Sequence, residues 1–308
     1  MNYFLGIDGG GSKTVCVIGD DKSILATGEA GPSNIVRVGG AQAREAITAA
    51  IKQACAGAHI EPSQIVRTCI GIAGGARPGT AQTVRRIVSE IVSGDLEVVG
   101  DMIIALEAAF GNGPGVVVVA GTGSIACGRN AAGQTARAGG WGFVVSDEGS
   151  AYWIGRAAVS AVMRSYDQAQ RPALLTQLMT AWHIETPEQL IMAANASPAP
   201  NFAALFPVVL SAADSADPLA NELLAQAGAE LAKLAAIVIT RLFSGGEGVP
   251  VAMAGGVFRN AAIVRQVFYN SLRLTYPSIK ASETVVDPVK GALELARKGA
   301  GAGQDSAG

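Results

Sequence analysis

The chain has 308 residues, a formal net charge of −2, and 49% hydrophobic against 16% charged residues. That balance argues against a disordered chain, and the lack of a basic cluster argues against nucleic acid as the main partner. The length fits two domains of about 150 residues each. Wholly apolar runs such as Leu234–Ile239 fall well short of the roughly 18 residues needed to span a bilayer.

No basic segment followed by an apolar one opens the chain, so no signal peptide is expected. Four cysteines (Cys16, Cys55, Cys69, Cys127) lie far apart and form no CxxC pair. They read as small core residues in a reducing cytoplasm, and no metal cluster is expected from them.

In chain order, Tyr3–Asp8, Thr14–Ile18 and Ile24–Glu29 are short β-rich runs that predict an antiparallel meander. Ala41–Ala56 places Ala46, Ile47, Ala50, Ile51 and Ala54 on one helical face. Ile65–Ile72 predicts a buried strand, Thr80–Val92 a helix, Leu96–Gly100 a strand and Met102–Phe110 a helix. Such alternation implies a partly parallel sheet covered on both faces. The pattern then restarts. "VVVVAGTGSIACGRNAAGQTARAGG" follows "FLGIDGGGSKTVCVIGDDKSILATG" in element order and in the placing of its turns. Two such units predict two similar domains. Ala151–Phe243 is almost wholly helical in pattern, followed by a strand at Val249–Ala254 and helices at Asn260–Leu272 and Pro288–Lys298. The predicted boundaries are residues 1–115, completed by the helix at 288–299, and residues 116–287. The low-complexity tail 300–308 is expected to be disordered.

Chemistry is concentrated in three glycine turns. Asp8-Gly9-Gly10-Gly11-Ser12-Lys13 separates the first two strands, where an ordinary hairpin needs only two turn residues. Glycine and serine there present backbone N–H groups to anionic oxygens, and Lys13 adds a cation. Asp8 would repel a phosphate, so it makes sense with Mg²⁺ between them, or as a plain turn stabiliser. Gly121-Thr122-Gly123-Ser124 is the matching turn of the second copy and lacks an acid. A third pair, Gly255-Gly256, lies between a strand and a helix; it suits either a flat ring against the backbone or a simple strand-to-helix turn. Neither a P-loop nor a dinucleotide fingerprint is present, since no GxxxxGK[ST] occurs and no helix follows the first two turns.

These three turns resemble the sugar kinase, Hsp70 and actin superfamily of ATPases. Within it, "GGWGFVVSDEGSAYWIG" (Gly139–Gly155) closely resembles the N-acetylglucosamine kinases of the BadF/BadG/BcrA/BcrD-type ATPase family. The resemblance runs over about residues 3 to 298. It implies two ribonuclease-H-like α/β domains, the actin-like ATPase fold, closing over ATP and sugar in an interdomain cleft, with Mg²⁺ and usually as a homodimer.

The resemblance also implies site roles. Asp8 is the metal residue, and Gly10, Gly11, Ser12, Lys13, Gly121, Gly123 and Ser124 hold phosphates. Gly255 and Gly256, with Asn260 at the next helix start, take the adenine end. Asp101 follows the Leu96–Gly100 strand; read from the residues alone it is a helix N-cap or a base at a strand end, and the family places the base there. Asn34, in "GPSNIV", matches the kinases' "STN" loop as a ligand of sugar hydroxyls, as does Asp147, with Thr122, Trp141 and Gly142 shaping the pocket. Asp147 also reads as a cap for a helix beginning near Glu148, and Glu148 as a first-turn acid of that helix. His59 and His183 read as surface residues, Tyr152 and Trp153 as core.

The expected activity is ATP-dependent phosphorylation of an amino sugar at O6, N-acetylglucosamine first, with glucosamine and N-acetylmuramic acid as alternatives. "IAGGARP" (Ile72–Pro78) and the apolar Ile125 depart from the family pattern near the expected 2-substituent, which keeps those alternatives open. Two other classes compete. Activator ATPases of 2-hydroxyacyl-CoA dehydratases share the ATP fold but use cysteines for an iron–sulfur cluster. Sugar-sensing regulators would carry a helix-turn-helix extension, which is not read ahead of Asn2.

Overall fold

The computed structural model describes residues 1–73, 78–244 and 248–299. The expected features of residues 74–77 and of the tail 300–308 lie outside the described residues. The chain divides into two units, Met1–Gly113 together with the C-terminal segment from Val286, and Pro114–Val285.

The first unit is built on strands β1 (Tyr3–Gly9), β2 (Thr14–Gly19) and β3 (Ile24–Ala30), helix α1 (Ile35–Ala58), β4 (Ile65–Ile72), α2 (Pro78–Ser89), β5 (Asp95–Gly100) and α3 (Asp101–Phe110). Its sheet runs β3-β2-β1-β4-β5. The β1–β2 and β2–β3 pairs are antiparallel, and β1–β4 and β4–β5 parallel. Period-two alternation sorts side chains to opposite faces. Leu5, Ile7, Cys16, Ile18, Ile70 and Ile72 pack with Ile47, Ile51, Val84, Ile87 and Val88 of α1 and α2. Phe4, Val17 and Cys69 pack instead with Ile104 of α3 and with Val289, Leu293 and Ala296 of the C-terminal helix. Both faces are covered, as the alternation of strands and helices predicts.

The helix predicted over Ala41–Ala56 is longer, because a short turn at 35–38 joins it across a kink at Gly39, whose φ is +78°. Gly28 lets α1 lie directly on the sheet: a Cβ there would sit 2.1 Å from the Ala50 carbonyl oxygen.

The second unit repeats the arrangement with β6 (Gly115–Ala120), β7 (Ser124–Arg129) and β8 (Thr135–Gly139). The helical stretch follows as α4 (Ala151–Asp167), α5 (Ala173–Ala181), α6 (Pro187–Ala194), α7 (Phe206–Asp214) and α8 (Pro218–Leu242). Then come β9 (Pro250–Ala254), α9 (Gly256–Asn260), α10 (Ala262–Thr275), β10 (Lys280–Val286) and α11 (Pro288–Lys298), which returns to the first unit. The second sheet runs β10-β9-β6-β7-β8. An antiparallel meander flanked by one parallel neighbour is thus used twice. The sequence pattern does not predict β10, since Ser282 and Thr284 interrupt its apolar residues. Helix α8 is long and apolar enough to cross a membrane by length and composition. Here Leu223, Leu224, Leu231, Leu234, Val238 and Ile239 of that helix are buried in the core of the second unit.

Candidate functional site

In the first unit the candidates gather at the C-terminal edge of three parallel strands. Register pairs Gly9 of β1 with Ile72 of β4, and Ile72 with Gly100 of β5. Asp8 and Asp101 therefore lie along one sheet edge, two strands apart, at the kind of edge where open α/β sheets bind ligands.

Turn 1 is fastened to the loop that carries Asn34. The Gly10 N–H donates to the Lys13 carbonyl at 3.0 Å. The Gly10 carbonyl accepts from the N–H groups of Ser33 (3.2 Å) and Asn34 (3.3 Å). Asn34 is the N-cap of α1, its side-chain oxygen accepting from the Val36 N–H at 3.1 Å, which occupies its carbonyl and leaves the amide group for other work. Lys13, expected as a phosphate cation, is ion-paired with Glu29 at 2.9 Å across the exposed hairpin.

Asp101 is not the cap of α3. The N-cap is Gly100, without a side-chain bond, and Asp101 is the first helical residue. Its carboxylate accepts from the Met102 N–H at 3.1 Å. Burial pushes the Asp101 carboxyl above its ordinary value, and hydrogen bonds from the Met102 and Asp101 N–H groups oppose the shift. An acid held partly out of water at a strand end, with a raised affinity for protons, is the profile of a general base.

In the second unit, turn 2 is laced to the start of α4 and to the segment just ahead of it. Gly121 and Thr122 carbonyls accept from the N–H groups of Ala151 (2.9 Å) and Tyr152 (3.3 Å). Ser124 Oγ donates to the Glu148 carbonyl at 2.7 Å. Ser150 caps α4, accepting from the Trp153 N–H at 3.1 Å. Neither Asp147 nor Glu148 is therefore part of that helix. Four glycines with positive φ (Gly139, Gly140, Gly142, Gly149) let the chain turn before the helix starts. Asp147 itself is buried with φ +69°, and its carboxylate lies against Gly123. Glu148 accepts a hydrogen bond from Ser146 at 3.0 Å. Trp141 is 66% exposed, with the Arg137 guanidinium 4.0 Å over its ring. Ile125 packs under Gly140 and so supports this loop from below.

Turn 2 and the Gly255-Gly256 pair come together. The register of Val119 with Ala254 sets Gly255 beside the end of β6. Gly255 has φ +96°, and a Cβ there would lie 2.3 Å from the Ala120 carbonyl oxygen, so only glycine fits. Gly256 is exposed and open. Asn260 does not begin a long helix: it ends the five-residue α9, its amide donating to the Gly256 carbonyl at 2.8 Å, and α10 starts at Ala262. Tyr152 is in the core with Trp153 against it, and His59 and His183 lie at the surface, as read from the sequence.

All four cysteines are buried thiols, none of them in a disulfide. Burial pushes the Cys69 thiol up to about 12, the opposite of what a cluster thiolate requires. Sequence reasoning missed the buried hydroxyls Thr14 and Ser33 beside turn 1. The only signal for them was two small polar residues next to glycine turns.

Residues 5–296 match the BadF/BadG/BcrA/BcrD ATPase family. The chain belongs to that family. It is 32% identical over 302 residues to an N-acetylmuramic acid/N-acetylglucosamine kinase of Clostridium acetobutylicum, covering 96% of this chain and 99% of that one. It is 29% identical over 309 residues to an N-acetyl-D-glucosamine kinase of Dictyostelium discoideum, covering 95% and 97%. A solved structure assigned as an N-acetylglucosamine kinase, from Chromobacterium violaceum, superimposes with a TM-score of 0.73 at 30% identity, covering 96% and 99%. The fold is the two-domain α/β fold of the actin-like ATPases.

Proposed function

We propose that this family member is an ATP-dependent kinase that phosphorylates the 6-hydroxyl of an amino sugar, N-acetylglucosamine first. The observation that carries the reading is the near end-to-end match, at 32% identity, to a kinase named for N-acetylmuramic acid and N-acetylglucosamine. The site geometry supports it: glycine turns at strand ends, and one partly buried acid with a raised proton affinity.

In this reading Asp101 takes the proton of the sugar hydroxyl as its oxygen bonds the γ-phosphorus and the bond to the β-phosphate oxygen breaks, leaving ADP. Asn34 and Asp147 hold ring hydroxyls, with Thr122, Trp141 and Gly142 shaping the pocket. Gly11, Ser12 and Gly123 supply backbone and hydroxyl donors to phosphates. The Gly10 and Gly121 N–H groups are held by the Lys13 and Gly123 carbonyls and the Ser124 hydroxyl by the Glu148 carbonyl, so these, like Lys13 on Glu29, serve a phosphate only when those bonds open. Gly255 and Gly256 border the base or ribose, and Asn260, at the end of α9, stands beside them. Mg²⁺ would neutralise charge on the phosphates, and Asp8 would hold it. The fit is chemical. Mg²⁺ keeps most of its waters and needs only one or two carboxylates besides phosphate oxygens, and among the described residues no cluster of three or more His, Cys, Asp or Glu offers a closed cage.

A homodimer and a cytoplasmic setting complete the proposal. Four buried cysteine thiols suit a reducing compartment, and light scattering of the purified chain tests the dimer. The deciding experiment is a coupled ADP-release assay with N-acetylglucosamine, glucosamine, N-acetylmuramic acid and glucose. Turnover highest with an N-acetylated sugar is expected; no turnover with any amino sugar overturns the kinase reading.

A further inference from the structure

Thr14 and Ser33 are both fully buried, and their hydroxyl oxygens are hydrogen-bonded at 2.7 Å. Thr14 opens β2 directly after turn 1, and Ser33 precedes Asn34, the N-cap of α1. Thr14 Oγ1 donates its one proton to the Gly31 carbonyl at 2.8 Å, so in the hydroxyl pair Ser33 is the donor and Thr14 the acceptor. The Gly10 carbonyl binds the Ser33 and Asn34 N–H groups from the other side. Gly9 closes the packing, since a Cβ on it would lie 3.0 Å from Ser33 Oγ. Turn 1 and the Asn34 loop are thus joined by side-chain and backbone hydrogen bonds, of which the Thr14–Ser33 bond is buried, where such bonds are least replaceable.

We infer that the Thr14–Ser33 pair is a coupling device: it links occupancy of the nucleotide turn to the position of Asn34, so that nucleotide and sugar strengthen each other's binding. The inference rests on the proposed roles of turn 1 and Asn34. The physical reason is the shared anchor. A phosphate seated on the N–H groups of turn 1 fixes the turn, and with it the Gly10 carbonyl and Thr14. Ser33 and the Asn34 backbone then lose freedom before sugar arrives, so the second ligand has less ordering to do. Thr14 and Ser33 touch no ligand in this scheme; they are positioning residues.

The test is calorimetric titration of N-acetylglucosamine into the full chain with and without Mg²⁺–ADP, and of Mg²⁺–ADP with and without the sugar. The two ratios must agree, because coupling is reciprocal. In the wild type a factor in the usual range of about 5–150 is expected. Ser33→Ala and Thr14→Val are expected to bring it towards one, while Thr14→Ser, which keeps the hydroxyl, restores it. A role confined to stability would lower the melting temperature in the first two variants and leave the ratio alone. A wild-type ratio of one, or an unchanged ratio in both Ser33→Ala and Thr14→Val, overturns the inference. Asn34→Ala separates this from the parent reading: if it leaves sugar affinity unchanged, the assignment of Asn34 has failed and the coupling with it; if it weakens sugar while the ratio survives in both Ser33→Ala and Thr14→Val, only the coupling has failed.

Discussion

Gly123 of turn 2 and Asp147 of the glycine-rich loop are packed so closely that a Cβ on Gly123 would lie 2.7 Å from Asp147 Oδ2. The turn proposed for phosphate and the acid proposed for sugar therefore share one contact. Gly123→Ala is expected to rotate the Asp147 carboxylate away and raise the sugar KM, with a smaller effect on the ATP KM. Asp147→Asn keeps the shape but turns a charged acceptor into a neutral one, and the sugar KM should rise about tenfold. Steady-state kinetics with each substrate varied in turn check both. An unchanged sugar KM in both variants removes Asp147 from the sugar site.

Asp101 should govern the acidic limb of the rate profile. Its carboxyl is raised above the ordinary range by burial, so kcat/KM is expected to fall at a pH above that of an exposed carboxylate, as the base becomes protonated. Asp101→Asn should lower kcat by about 10²–10⁴-fold. The effect on stability has the opposite sign. A carboxyl with a raised folded-state pKa binds more protons folded than unfolded, so it disfavours folding at neutral pH. The penalty disappears below the ordinary carboxylate pKa, where both states are protonated. Asp101→Asn should thus melt no lower than wild type at pH 7, and any gain should vanish in acid.

Gly256 offers a clean probe of the nucleotide end. A Cβ there has only the Asn260 amide nitrogen near it, at 4.0 Å, so the first side-chain carbon displaces nothing. Gly256→Val should raise the ATP KM and spare the sugar KM. Gly255→Ala, by contrast, should cost stability, because its Cβ would collide with the Ala120 carbonyl and its φ of +96° strains any L side chain. Thermal melts of the two variants separate the effects.

The C-terminal helix is held to α3 by a half-buried ion pair. Glu107, whose side chain is 4% exposed, binds Lys298, which is 44% exposed. Lys298→Met leaves that carboxylate without its cation and should cost about 2 kcal/mol, below the range for fully buried pairs because solvent reaches the lysine. Adding Glu107→Gln should recover part of the loss. Denaturation of the single and double variants measures the difference; a double variant less stable than Lys298→Met contradicts the pairing.

Much of this protein can be read from its chain alone. The two strand–turn–strand units, the strongly periodic helices and the glycine turns are set by local patterning, and local patterning is what a sequence displays directly. The family follows from the motif over Gly139–Gly155 in the same way. Other features depend on which groups the folded backbone brings within hydrogen-bond reach, whether near or distant in the chain. Asn34 became a helix cap because Gly39 breaks the helix pattern without ending it. Asp101 lost its capping role because Gly100 already holds the extended backbone a cap requires. Asp147 was separated from α4 because Ser150, three residues later, binds the Trp153 N–H and the carbonyls of turn 2 take the Ala151 and Tyr152 N–H groups. Whether Lys13 faces a phosphate or Glu29, and whether Thr14 finds Ser33, is settled by pairing across strands and loops. A side chain's partner is chosen by the tertiary structure, because burial makes an unmade hydrogen bond costly and only the folded chain determines which groups are buried together.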